Sequence, residues 1–226
     1  MSYRKMQYWV IPPEADAEFV AHREDVLETY SKPYDCDVPV LCMDEQLVQL
    51  IKDTKVPIAA TKEHPRRVDY EYQYERPGVA NVFMFTEPLS RCREVMIREK
   101  KTKVDWTITM ANLIAAKSSW YETISTHTIG AFYEVFEPER ARSLVRRIEF
   151  HYTPKHGCWL NITENALSSM TRQCVARRRI GNLTMLESET HASVCDVNET
   201  QRAVHWQMKI DDAWMKPTSV YPKIKL

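Results

Sequence analysis

Two carboxylates, Asp44 and Glu164, stand where an acid could do chemistry. Asp44 falls within VPVLCMDEQ, residues 38–46, where Val38, Val40, Leu41 and Met43 form a short, partly β-branched apolar run fit for a buried strand. That places Asp44 at the carboxyl end of the strand, the edge of an open α/β sheet where ligands and metals gather. The same acid could instead begin a turn or cap a helix. Glu164 falls within HYTPKHGCWLNITEN, residues 151–165, which reads as a strand, a proline-bearing loop and the opening of a helix. A glutamate in the first helical turn favours the positive end of the helix dipole, and from there it can also be aimed across a sheet edge. Two carboxylates from distant parts of the chain could share divalent ions. Hard oxygen ligands suit magnesium or manganese, and paired ions suit in-line phosphoryl transfer.

The elements that must position these acids are legible in outline. PPEADAEFVAHREDVLETYSK, with prolines and early acids, spaces Phe19, Val20, Val26 and Leu27 like a helix. The strand at Asp44 follows. Val82, Met84 and the alternation across Arg91–Arg98 predict two antiparallel strands joined by a turn at Glu87, Pro88, Leu89 and Ser90. Trp106, Ile108, Met110, Leu113 and Ile114 share one face of a crossover helix, and a crossover after a meander predicts a mixed sheet. EPERARSLVRR is a second helix with proline near its start, and IEFHYTP is a strand closed by Pro154. Helical patterns then run through NITENALSSMTRQCVARRR and from Thr184 to Ile210, giving a helix-rich C-terminal half. The 226 residues suit one substantial domain, residues 1–226, with no repeat or linker.

Composition is that of an ordinary soluble chain, 44% hydrophobic and 27% charged, with 31 basic against 31 acidic residues. The neutral total hides an uneven distribution. Six acids lie between Glu14 and Glu28, whereas Arg172 to Arg179 holds four arginines and no acid, so a basic face for phosphates is compatible with zero net charge. Six scattered cysteines without a CxxC pair read as buried thiols of a reducing cytoplasm, and His151, His156 and Cys158 lack the partner motif of a zinc site. The start MSYRKMQYWV has no signal-peptide core and no apolar run reaches membrane-span length. The expectation is a soluble, cytoplasmic protein with no membrane partner.

The order VLCMDEQ, YERPGVANVFMFTEPLSRCREVMI, STHTIGAFYEVF and EFHYTPKHGCWLNITENALSSMTRQCVARR resembles the catalytic domain of a bacterial insertion-sequence transposase of the mariner-like DDE superfamily. Four segments in the family's order span almost the whole chain. The resemblance implies an α/β, RNase H-like mixed sheet flanked by helices. It also implies two Mg2+ or Mn2+ ions held by three acids, and cleavage and joining of double-stranded DNA at transposon ends and target; the sequence does not give the oligomeric state and leaves a homodimer open. Asp44 matches the first acid and Glu164 the third.

The second acid departs from the family. There an apolar strand ends in the aspartate of a D-N-x-x-x-H pattern; here SSWYETISTHT keeps His127 but puts Glu122 and Thr123 in place of the first two residues. Glutamate carries the carboxylate one methylene further out, where catalytic geometry tolerates about half an ångström. Lys117, Ser118 and Ser119 also give a poor central strand, after a connection from Trp106 shorter than the family's. Family members carry helix-turn-helix modules ahead of this domain, and this chain is expected to lack them. Nonspecific DNA binding is expected from Arg172, Arg177, Arg178 and Arg179 on the helix after Glu164, and from a second group of Arg91, Arg93, Lys100, Lys101 and Lys103. Each could also be a solvated face. Glu45 is expected on the far side of the strand, outside the metal shell, and Trp106, Trp159 and Trp206 in or at the core. The alternative function is a catalytically inactive remnant that at most binds DNA nonspecifically. An RNase H-like nuclease or resolvase of another branch is disfavoured by LNITEN and THT.

Overall fold

A computed structural model describes residues 17–56, 58–65, 67, 74–116, 121–125, 127–176, 178–202 and 208–215. Helix α1 (Ala17–Ser31) leads into strand β1 (Val40–Asp53), followed by β2 (Tyr74–Glu87) and β3 (Cys92–Arg98). Helix α2 (Lys103–Ala116), strand β4 (Tyr121–Ser125), helices α3 (Gly130–Val135) and α4 (Pro138–Val145), and strand β5 (Ile148–Tyr152) come next. A 3-10 turn (Cys158–Leu160) enters α5 (Thr163–Met170), which runs on as a π turn (Thr171–Val175); α6 (Leu183–Glu199) and α7 (Ile210–Met215) complete the order.

The five strands form one mixed sheet in the order β3-β2-β1-β4-β5. β1 and β2, and β2 and β3, pair antiparallel through the expected turn, whereas β4 pairs parallel with both β1 and β5. A tight turn can join antiparallel neighbours, but parallel ones need a crossover, and α2 and the α3–α4 pair supply it.

Period-two alternation along β1 divides the core into two layers. Leu41 and Met43, with Phe83 and Phe85 of β2, pack against Trp106, Met110, Leu113 and Ile114 of α2, Phe132 of α3, and Leu144 of α4. On the opposite face Val48, Leu50, Val82 and Met84 meet Ala166, Leu167 and Met170 of α5, while Val40 and Cys42 meet Leu27 and Tyr30 of α1. This second row therefore reads Val40, Cys42, Asp44, Gln46, Val48, Leu50. Two polar residues interrupt an apolar row where α5 begins.

Several expectations change. β1 does not stop at Asp44 but continues nine residues to Asp53, so Asp44 is interior to a long strand. The edge it marks is that of β4, whose pairing with β1 ends at Cys42. The helix after Glu164 ends at Val175, because the π turn breaks the ladder and Ala176 is extended; Arg178 and Arg179 are therefore not helical, and Arg177 lies outside the described residues. The last long helix ends at Glu199, short of Ile210. α3 went unread, since six residues are too few for a periodic signal. Cys36, Cys158 and Cys195 are exposed instead of buried, and Trp159 is exposed while Trp106 is core; Trp206 lies outside the described residues.

Candidate metal and DNA site

Asp44 and Glu164 are brought together by a small set of buried bonds. Asn161, buried just ahead of α5, donates from Nδ2 to the Met43 carbonyl at 2.8 Å, which fixes the α5 entrance to the residue before Asp44. Its Oδ1 accepts from the Thr163 N–H at 3.1 Å, an Asx turn that satisfies one of the free amides at the helix start. The Tyr30 hydroxyl of α1 donates to the Leu160 carbonyl at 2.8 Å and accepts from the Ile162 N–H at 3.2 Å. At the far end of α5, Thr171 donates to Gln46 Oε1 at 2.7 Å, the residue two beyond Asp44. Glu164, in the first turn of α5, is thus held against β1 at both ends of its helix.

The electrostatics follow from this placement. Burial pushes the Asp44 carboxyl up from 3.8 to about 6; the Glu45 N–H donating to its Oδ1 at 2.8 Å works against the rise, the charges of Glu45 and Glu164 add to it, and Lys101 opposes it. Cys158 sits against Glu164, and its thiol is raised above its ordinary value by partial burial first and then by the Glu164 charge. A half-buried carboxyl whose pKa is raised first by burial and then by acidic neighbours is a candidate for a functional site.

Glu45 faces the other layer. Its Oε1 lies 3.0 Å from His127 Nε2, and the His127 ring stacks on Trp106 at 4.5 Å between centroids. The Trp106–His127–Glu45 group orders the segment after β4 and keeps Glu45 away from Asp44's face.

The register of β4 sets the backbone of Glu122. Its backbone pairs with Val40 on β1 and Glu149 on β5, at the start of β4 and not at its end. Measured along β1, that level is four residues before Asp44, roughly 13 Å at about 3.3 Å per residue. The reason lies in the local sequence. Tyr121, Thr123 and Ile124 are the aromatic and β-branched residues that suit a strand, and they extend it beyond Glu122; Lys117–Trp120 lie outside the described residues.

The arginines separate as well. Arg178 pairs with Glu189 of α6, at 2.7 Å from Nη1 to Oε2, and donates to the Cys174 carbonyl at 3.2 Å. Arg179 pairs with Asp53 at the distal end of β1, nine residues from Asp44. Arg172 is exposed on the π turn beside Thr171, and Lys101 acts on Asp44 directly. Asn161 and Tyr30 are the contributors that spacing did not single out as functional. Only Asn161 carries a signal, an Asx residue just before a helix. His151 is bound to Asp25 at 2.9 Å and forms no metal cluster with His156 or Cys158 among the described residues.

Two carboxylates on adjoining elements are hard oxygen donors of the kind that suits a divalent cation such as Mg2+ or Mn2+.

Similarity to known proteins agrees with the fold. Residues 39–187 match the family model described as DDE superfamily endonuclease, about two thirds of the chain. No curated protein matches. Among solved structures the chain is similar to the Mos1 transposase paired-end complex with left transposon end, at 9% identity and a TM-score of 0.52 over 88% of this chain and 62% of that one. It is also similar to the Mos1 strand transfer complex, at 9% identity and a TM-score of 0.51 over 88% and 64%. The chain thus spans less than two thirds of the length of these structures, and the shared part is the RNase H-like fold. With a mixed sheet in the order β3-β2-β1-β4-β5, Asp44 and the α5 residue Glu164 on the same face of it, and a family match that runs through both, the chain belongs to the DDE superfamily endonuclease family.

Proposed function

We propose that this chain is the catalytic domain of a DDE-type transposase of the bacterial insertion-sequence kind, in a degenerate form. It holds double-stranded DNA through one Mg2+ or Mn2+ ion shared by Asp44 and Glu164, and it does not complete strand cleavage and joining. The observation that supports this is the register of β4, whose backbone pairs Glu122 with Val40, four residues before Asp44 along β1. The retained half of the site supports metal-bridged DNA binding: Asn161 and Tyr30 hold α5 against β1, and the Asp44 carboxyl is poised to accept a cation. A bound ion would neutralise the acid pair and offer a phosphate oxygen a ligand position. Asp44 and Glu164 hold it, and Lys101 sets the local charge balance.

The test is affinity for a duplex oligonucleotide with and without 5 mM Mg2+, about a physiological excess, alongside a plasmid-nicking assay in Mn2+. Tightening by Mg2+ that is lost in Asp44→Ala and Glu164→Ala, with no nicking, is the expected result. Nicking that disappears in Glu122→Ala would restore the complete three-acid reading. Cation-independent binding would remove the site.

A further inference from the structure

Folding takes most tryptophan surface out of water, and Trp106, 1% exposed under the sheet, follows that rule. Trp159 does not. Its ring is 41% exposed on the 3-10 turn ahead of α5 and, among the described residues, has neither a hydrogen-bond nor a stacking partner. The next residue gives the reason. Leu160 is buried with Leu27, Tyr30 and Cys42, and at three residues per turn its neighbour points about 120° away from that core.

The turn that carries the ring is fixed. His156 ahead of it has a left-handed backbone (φ 67°), and at position 157 only glycine fits, because a Cβ there would lie 2.6 Å from Pro154 Cγ. Left-handed backbone at a non-glycine residue persists where its surroundings over-determine it, and such residues cluster at ligand sites. The Gly157 N–H donates to the Pro154 carbonyl at 2.8 Å, the Leu160 N–H to the Gly157 carbonyl at 2.9 Å, and the Asn161 N–H to the Cys158 carbonyl at 2.8 Å. Tyr30 and Asn161 then tie the end of the turn to α1 and β1. The indole is therefore presented to solvent on a rigid mount, so a flat partner meets it with little ordering cost.

That mount adjoins the acid pair. Cys158, the residue before Trp159, meets the Glu164 carboxylate with its thiol, and Asn161, two residues after, is bonded to the carbonyl before Asp44. A group that stacks there without adding negative charge to Asp44 and Glu164 is a nucleobase, since every base offers an uncharged π face. We infer that Trp159 is a stacking platform for an unpaired nucleobase of the DNA strand that Asp44 and Glu164 engage. This rests on the DNA-binding reading above and narrows its ligand. A base inside intact duplex keeps its faces against its neighbours, so the site prefers DNA with a frayed or single-stranded nucleotide.

The experiment is fluorescence anisotropy in Mg2+ with three labelled DNAs: a blunt duplex, the same duplex with a short single-stranded 3′ extension, and that extended duplex with abasic sites in place of the extension's bases. Circular dichroism shows that each variant is folded. Wild type should bind the extended duplex roughly fivefold or more tightly than its abasic counterpart, the scale of stacking on an aromatic ring. Trp159→Ala should bind the two alike, and Trp159→Phe should keep most of the preference. Stacking neutralises no phosphate, so the salt dependence of binding should be the same in Trp159→Ala and wild type. A base preference that survives Trp159→Ala, an equal loss on all three DNAs, or no preference in wild type overturns the platform. Wild-type binding indifferent to Mg2+ would instead overturn the cation reading, and the comparison of extended with abasic DNA decides the platform separately.

Discussion

Replacing Asp44 with asparagine should stabilise the metal-free domain at neutral pH, and the gain should vanish in acid. In the folded protein Asp44 keeps its proton until about pH 6, whereas an unfolded aspartate releases it near 3.8. Between those values the folded state binds more protons than the unfolded state, so stability falls as pH rises and the full cost is present above pH 6. A rise of that size corresponds to about 3 kcal/mol. Asp44 is only half-buried, and solvent screening reduces the figure to roughly 1–1.5 kcal/mol. Asparagine retains an oxygen for the Glu45 N–H at 2.8 Å and carries no charge. Urea denaturation in EDTA at pH 8 should therefore show Asp44→Asn above wild type by about 1 kcal/mol, a shift of about 2–4 °C in Tm, with no difference near pH 4. Saturating Mg2+ should reverse the order. At a hundredfold excess over Kd a bound ion adds about 2.7 kcal/mol to wild type alone. Asp44→Asn that destabilises at pH 8 in EDTA, or that gains equally at pH 4 and pH 8, would refute the reasoning.

Three other outcomes follow from the same contacts. Asn161→Ala removes the bond to the Met43 carbonyl and the Asx turn at Thr163; it should lower stability by about 2–3 kcal/mol in denaturant titration and weaken Mg2+ affinity in step, because α5 loses its tie to β1. Tyr30→Phe should cost about 1–3 kcal/mol, leaving the Leu160 carbonyl and Ile162 N–H unpaired, with the change visible in thermal melts. Arg179→Ala should destabilise by about 1 kcal/mol through Asp53 yet leave duplex affinity in anisotropy unchanged, whereas a loss of DNA binding would return Arg179 to the interface.

Apart from α3, most of the order of strands and helices was legible because it is written in local patterns: the apolar, partly β-branched run at β1, the turn before β3, proline opening α4, and proline closing β5. Asp44 and Glu164 were legible as chemistry because each closes or opens an element of clear type. What failed was geometry set at a distance. Where β4 begins depends on which residues pair best with β1, and the aromatic and β-branched content of Tyr121–Ile124 draws the strand past Glu122. The arginine run reads as a basic surface until Glu189 and Asp53, distant in sequence, take up Arg178 and Arg179. Tyr30's part in positioning α5 is likewise a contact across 130 residues, beyond any periodicity.

The most direct test of the central claim is a calorimetric titration of the purified domain with Mn2+, in wild type, Asp44→Ala, Glu164→Ala and Glu122→Ala. One equivalent of ion, lost in the first two variants and retained in Glu122→Ala, is the predicted result. Two equivalents, or loss of binding in Glu122→Ala, would contradict it and put Glu122 back in the metal site.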